Sequence, residues 1–186
     1  MVRNPSLVEF QNELDTFLNS TKDYKVRLFY FAGHGVQVNG VNYLIPIDAK
    51  LETPKDTLTS CISLNEIVER LSKKSNCVNI IIVDACRGNP FERTWRRNIL
   101  SRGLAAMDAP SGTIIAYATS PGKTASDGKG RNGTYTKHLL KNMDRPDISI
   151  GQMFQFVRQG VINETNERQL PWETTSLLGD FYFTRD

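Results

Sequence analysis

The sequence predicts an α/β fold with a largely parallel sheet. Two patterns carry that reading. Short, nearly continuous apolar runs at 26–33, 78–83 and 113–118 have the length and composition of strands covered on both faces, and they alternate with segments of helical periodicity. Each run also leads into polar sequence: Gly33-His34-Gly35, Asp84-Ala85-Cys86 and Thr119-Ser120. Open α/β sheets bind ligands beyond the carboxyl ends of their strands, so these residues are expected to gather along one edge.

The elements follow in chain order. A helix is expected over 4–19, with Asn4 as its cap and Pro5 in its first turn; Leu7, Phe10, Leu14, Phe17 and Leu18 share a face. Next comes the strand 26–33, with His34 and Gly35 just past its end. Asn39-Gly40 between two short alternating runs predicts a hairpin over 36–44. Ser63-Leu64-Asn65-Glu66 reads as a capping box opening a helix buried through Leu64, Ile67, Val68 and Leu71. The strands 78–83 and 113–118 follow. Helices are expected at 133–143 and 150–162, the second opened by Ser149 and Gln152, and a last strand at 181–183. Residues 87–112 and 121–133 read as polar loops.

Composition narrows the function classes. A chain of 186 residues with 39% apolar and 23% charged content suits one folded domain, here residues 1–186, and is unlike a disordered composition. A net charge of +3 is too small to argue for nucleic acid. Three widely spaced cysteines, Cys61, Cys77 and Cys86, make neither a disulfide framework nor a zinc set, so no metal or cofactor is expected. With no secretory signal and no apolar run of spanning length, the expectation is a cytoplasmic chain without membrane contact.

Cys86 and His34 are the candidate catalytic pair. A lone cysteine or histidine is usually structural, and Cys61, Cys77 and His138 keep that ordinary reading, His138 as a surface residue. Cys86, however, ends a buried strand before the turn Arg87-Gly88-Asn89-Pro90, and His34 lies between two glycines at the end of a neighbouring strand. An imidazole beside a thiol takes its proton during attack and returns it to the leaving amine. The amides of Gly35 and Cys86 are placed to face the developing oxyanion. Asp84, two residues before the nucleophile, would give the entrance for the substrate's first side chain a negative wall. Asp127 would supply a second carboxylate. The competing reading has Asp84 capping its own turn. A basic loop with Arg87, Arg93, Arg96, Arg97 and Arg102 offers self-cleavage sites between Arg93 and Arg102; as an acidic-partner or nucleic-acid surface it ranks below a solvated loop.

Phe31-Ala32-Gly33-His34-Gly35, followed by Asp84-Ala85-Cys86-Arg87-Gly88, resembles the caspase superfamily of cysteine peptidases. The caspase signature Gln-Ala-Cys-Arg-Gly, with its histidine roughly 50 residues upstream, agrees at four of five positions. Asp84, and the ending from Pro171 through Trp172 to Phe183, look more like the paracaspase, metacaspase and bacterial caspase-like branch. The resemblance runs from about residue 5 to the C-terminus. It implies a caspase-hemoglobinase three-layer sandwich with a mostly parallel central sheet, and hydrolysis of peptide bonds in a protein or peptide substrate by a Cys86–His34 dyad. The oxyanion hole falls to Gly35 and Cys86. It further implies that substrate lies as an added strand beside Ala118, Thr119 and Ser120. The family's strand and helix before the helix at 4–19 have no counterpart, so the domain reads as N-terminally incomplete relative to the family. The 26–33 strand then keeps an exposed edge that a homodimer contact or a partner chain would complete. Where caspases place glutamine two residues before the cysteine this chain has Asp84, which points to cleavage after Arg or Lys rather than Asp. The alternative is a catalytically silent caspase-like binding or regulatory module.

Overall fold

The protein is described from a computed structural model covering residues 1–73, 77–86, 104–121, 123, 125, 128 and 130–185, with Cys86 described by its backbone alone. In chain order the elements are α1 Leu7–Ser20, β1 Val26–Val38, β2 Val41–Ile45, a 3₁₀ turn Pro54–Asp56, α2 Thr57–Ser60, β3 Ile62–Ser63, α3 Leu64–Ser72, β4 Val78–Cys86, β5 Thr113–Tyr117, α4 Thr134–Met143, α5 Ile150–Thr165 and β6 Trp172–Thr175.

The described strands form one six-stranded sheet in the order β3-β2-β1-β4-β5-β6. Its centre, β1-β4-β5, is parallel; the hairpin side and the β5-β6 edge are antiparallel. The pleat divides β4 and β5 between two cores. Ile81, Val83 and Ile115 pack with Phe10 and Leu14 of α1 and with Leu64, Ile67, Val68 and Leu71 of α3. Ile80, Ile82, Ile114 and Ala116 pack on the opposite face with Tyr135 and Leu139 of α4 and with Met153, Phe154, Val157 and Val161 of α5. The result is a helix–sheet–helix sandwich.

Local sequence explains most element boundaries. Asn39 and Gly40 both adopt positive φ, as the tight β1–β2 turn requires, and Val38 pairs with Val41. Ser63 accepts from Glu66 N–H to open α3, and Ser149 with Gln152 completes a capping box for α5. The cap of α1 is Ser6 rather than Asn4: Ser6 and Glu9 exchange both capping hydrogen bonds, while Asn4 turns with φ of 49° outside the helix. A reciprocal box satisfies two helix N–H groups, which Asn4 could not match.

Three expectations change. The last strand is Trp172–Thr175, not 181–183; Phe181 and Phe183 instead stack edge to face and pack against the α4–α5 core. An edge strand with three polar residues of four carries no apolar run to announce it. The 26–33 run is covered on one face only. Phe29 and Phe31 pack toward α1, whereas Val26, Leu28 and Tyr30 are exposed. The α4–α5 core covers β4 and β5 and does not take in Val26, Leu28 or Tyr30; separately, β2 pairs only with 34–38, so among the described residues no strand pairs the other edge of 26–33. His138 is not a surface residue. Its side chain is 13% exposed, its Nε2 lies 2.8 Å from Glu164 Oε2, and it rests on Gly160 of α5.

That last contact makes a stability prediction. A Cβ at position 160 would lie 2.2 Å from His138 Nδ1. Gly→Ala inside a helix ordinarily gains about 1 kcal/mol in propensity, but an overpacked contact of this kind costs about 1–3 kcal/mol. Gly160→Ala is therefore expected to lower the denaturant midpoint, and Gly160→Ala/His138→Ala to recover it. A stabilised single variant would show that the imidazole simply swings aside.

Candidate active site

The sheet register builds the site. Residues 26–34 of β1 pair in parallel with 78–86 of β4, and the last pair is His34 with Cys86. Neighbouring strands lie about 4.8 Å apart, so the two backbones meet side by side at the carboxyl edge. Cys86 is the last residue of β4, and His34 lies within β1 rather than just past its end. The reason is that β1 runs on from β4 directly into the hairpin with β2, so His34 is paired on both sides, with Cys86 and with Ile45. Its side chain is exposed.

Gly35 is fixed by its surroundings. A Cβ there would meet Leu104 Cδ2 at 3.1 Å, Ala85 Cβ at 3.3 Å and the Tyr43 carbonyl at 3.4 Å. In an antiparallel ladder closed by a two-residue turn, hydrogen-bonded pairs alternate, starting with the pair that flanks the turn. Counting back from Val38–Val41, His34–Ile45 is such a pair and Gly35–Leu44 is not. The Gly35 amide is thereby turned away from β2, toward the side where β4 ends.

The other cysteines offer no rival. Cys61 is buried beneath the hairpin and burial pushes its thiol up to about 12, which suppresses the thiolate. Cys77 is buried at the start of β4, the end remote from Cys86, with its sulfur toward the Tyr24 carbonyl. Among the described residues no group of three or more histidine, cysteine or carboxylate side chains is arranged to hold a metal ion.

Asp84 is 8% exposed. Thr136, in the first turn of α4, donates from Oγ1 to Asp84 Oδ2 at 2.5 Å; the turn that Asp84 would cap, 87–90, lies outside the described residues. Tyr30 Oη lies 2.6 Å from the same Thr136 oxygen. The negative charge here is felt nearby. Burial, joined by Asp84, raises the Tyr30 phenol against the Thr136 hydrogen bond, and the same causes hold the fully buried Tyr135 phenol well above its ordinary value. Tyr135 Oη and Thr119 Oγ1 are buried with no hydrogen-bond partner among the described residues. Asp127 lies outside the described residues, as do the arginines from Arg87 to Arg102.

The segment expected to receive a substrate strand follows β5 directly. Ala118 N–H donates to the Val83 carbonyl at 3.0 Å, and the Ser120 carbonyl accepts from Lys123 N–H at 3.1 Å. The Ala118 carbonyl accepts from the buried Gln169 side chain at 2.8 Å. Sequence reasoning did not find Gln169, Thr136 or Tyr30, and nothing in their neighbourhoods sets them apart. Asn42 was also missed, yet carried a signal: it is the polar residue inside the run Val41–Ile45, and a buried amide needs partners. It holds Ala105 through both backbone groups, at 2.9 and 2.7 Å, where the chain returns to β5.

Known proteins share this fold. The family model described as "Caspase domain" matches residues 1–182. The chain is similar to human mucosa-associated lymphoid tissue lymphoma translocation protein 1, 26% identical over 137 residues, and equally to its mouse homolog. Those matches take in 70% of this chain and 15% of each relative, so the chain spans a small part of the relatives' length. The crystal structure of caspase-1 from Spodoptera frugiperda superposes with a TM-score of 0.69 over 98% of this chain and 73% of that one, at 15% identity, a likeness of fold.

Proposed function

The chain belongs to the caspase-domain family of cysteine peptidases, and on that premise we propose that it is an endopeptidase that uses Cys86 as nucleophile and His34 as general base to cut after Arg or Lys. One observation carries this reading. The two candidate residues, 52 positions apart in sequence, are register partners at the carboxyl edge of adjacent parallel strands.

In the proposed reaction His34 takes the Cys86 thiol proton as sulfur attacks the substrate carbonyl carbon. The tetrahedral oxyanion is met by the amides of Gly35 and Cys86, one such donor being worth about 3–4 kcal/mol. Collapse breaks the C–N bond, the imidazolium protonates the leaving amine, and water, deprotonated by His34, hydrolyses the thioester. The direction of the Gly35 amide supports its role. Asp84 supports a basic first side chain, with Asp127 as a second carboxylate. Ala118, Thr119 and Ser120 are the proposed docking edge for substrate. With two of their carbonyls already engaged, the incoming strand would lean on the Thr119 and Ser120 N–H groups.

The domain is proposed to comprise residues 1–186. The edge of 26–33, unpaired among the described residues, is where a partner chain or second copy would complete the sheet. That edge also favours the second reading, a silent caspase-like module acting by binding. Turnover separates the two. Fluorogenic peptides ending in Arg or Lys should be cleaved by the wild type, and a chain that binds them without cleavage would be the silent module.

A further inference from the structure

Asp84 sits at the end of a hydrogen-bonded line that crosses three elements. Thr136 has one hydroxyl proton, and that proton is directed to Asp84 Oδ2. Tyr30 must therefore supply its own proton to Thr136 Oγ1, across 2.6 Å. Donation runs one way, from β1 through α4 to β4. The raised Tyr30 phenol keeps its proton at neutral pH and remains a donor.

A carboxylate's last torsion is broad, so an aspartate at a strand end samples many orientations unless something holds it. Hydrogen bonds to the ionised form both hold it and favour its charge. The Thr136 hydroxyl does this directly, with the Tyr30 hydroxyl behind it. We propose that Thr136 and Tyr30 are positioning residues that orient the Asp84 carboxylate for the basic side chain of the substrate. This inference rests on the pocket role given to Asp84 above. Tyr30 acts only through Thr136, because its contact is with the threonine oxygen.

The test is binding rather than turnover, carried out in Cys86→Ala protein. Two matched peptides are titrated, one ending in arginine and one in citrulline, its neutral isostere. The parent is expected to prefer the arginine peptide. Thr136→Val should reduce that preference roughly tenfold, about 1.4 kcal/mol, while leaving the citrulline affinity unchanged. Thr136→Ser should restore it. Tyr30→Phe should weaken the preference in the same direction, and Thr136→Val/Tyr30→Phe should be no worse than Thr136→Val alone. Tyr30 is 41% exposed, so Tyr30→Phe remains readable if Thr136→Val fails to fold. Equal loss for both peptides, additive effects of the two substitutions, or an unchanged preference in a folded Thr136→Val protein would overturn the inference. The peptidase reading stands or falls separately, on turnover by protein that retains Cys86.

Discussion

Cys86→Ala is expected to abolish peptide hydrolysis, His34→Ala to do so to a similar depth, and the double variant to be no worse than either. That is the expected result if the pair acts as one unit, because removing either member already forfeits the covalent route. A loss of at least about 1,000-fold in kcat is expected for each. The structural basis is the register that pairs His34 with Cys86. Steady-state kinetics with a fluorogenic arginine peptide measures it. Losses that simply multiply in the double variant would mean that the two residues act independently.

The second large effect is in specificity. Asp84 is a buried carboxylate held by Thr136 at the end of the nucleophile strand. Truncating one member of a desolvated charge pair costs about 2–5 kcal/mol, which corresponds to a roughly 30-fold to several-thousandfold fall in kcat/KM for an arginine substrate. Asp84→Ala should show that fall, while a matched peptide with a neutral residue before the cut is nearly unaffected. Asp84→Asn, which keeps the shape and loses the charge, should behave similarly. Faster cleavage after aspartate by the wild type would reverse the assignment. So would an Asp84→Ala enzyme with full activity on arginine peptides.

The sheet was legible because two of its central strands, β4 and β5, are covered on both faces. Residues 78–83 and 113–117 leave no polar position that solvent could claim, and the alternation with helices follows from the same runs. Caps were legible where two residues act reciprocally, as at Ser149 and Gln152. Asn4 misled because a single capping residue is a weaker signal than the Ser6–Glu9 box that begins two residues on. The exposed side of β1 could not be read from its own composition. Val26, Leu28 and Tyr30 look like core residues, and only the reach of the α4–α5 core, which does not include them, shows that they are not.

The site divides in the same way. His34, Gly35 and Cys86 stand out in the sequence because a reactive residue type at a strand end leaves a local mark. Thr136 and Tyr30 do not, because their contacts depend on bringing β1, α4 and β4 together across separations of 52 and 106 residues. Gln169 reaches the Ala118 carbonyl across 51 residues, from a loop with no pattern of its own. Contacts of that range are decided by packing, and a sequence read segment by segment does not contain them.

Covalent labelling tests the central claim most directly. An electrophilic peptide ending in arginine is incubated with the wild-type chain and the adduct located by mass spectrometry of its fragments. One equivalent is expected, on Cys86, with no adduct in Cys86→Ala and slow labelling in His34→Ala. Cys61 and Cys77, both buried, should stay unlabelled. Stoichiometric labelling at Cys61 or Cys77, or a folded wild type that forms no adduct with the arginine electrophile, would contradict the assignment of Cys86 as the nucleophile.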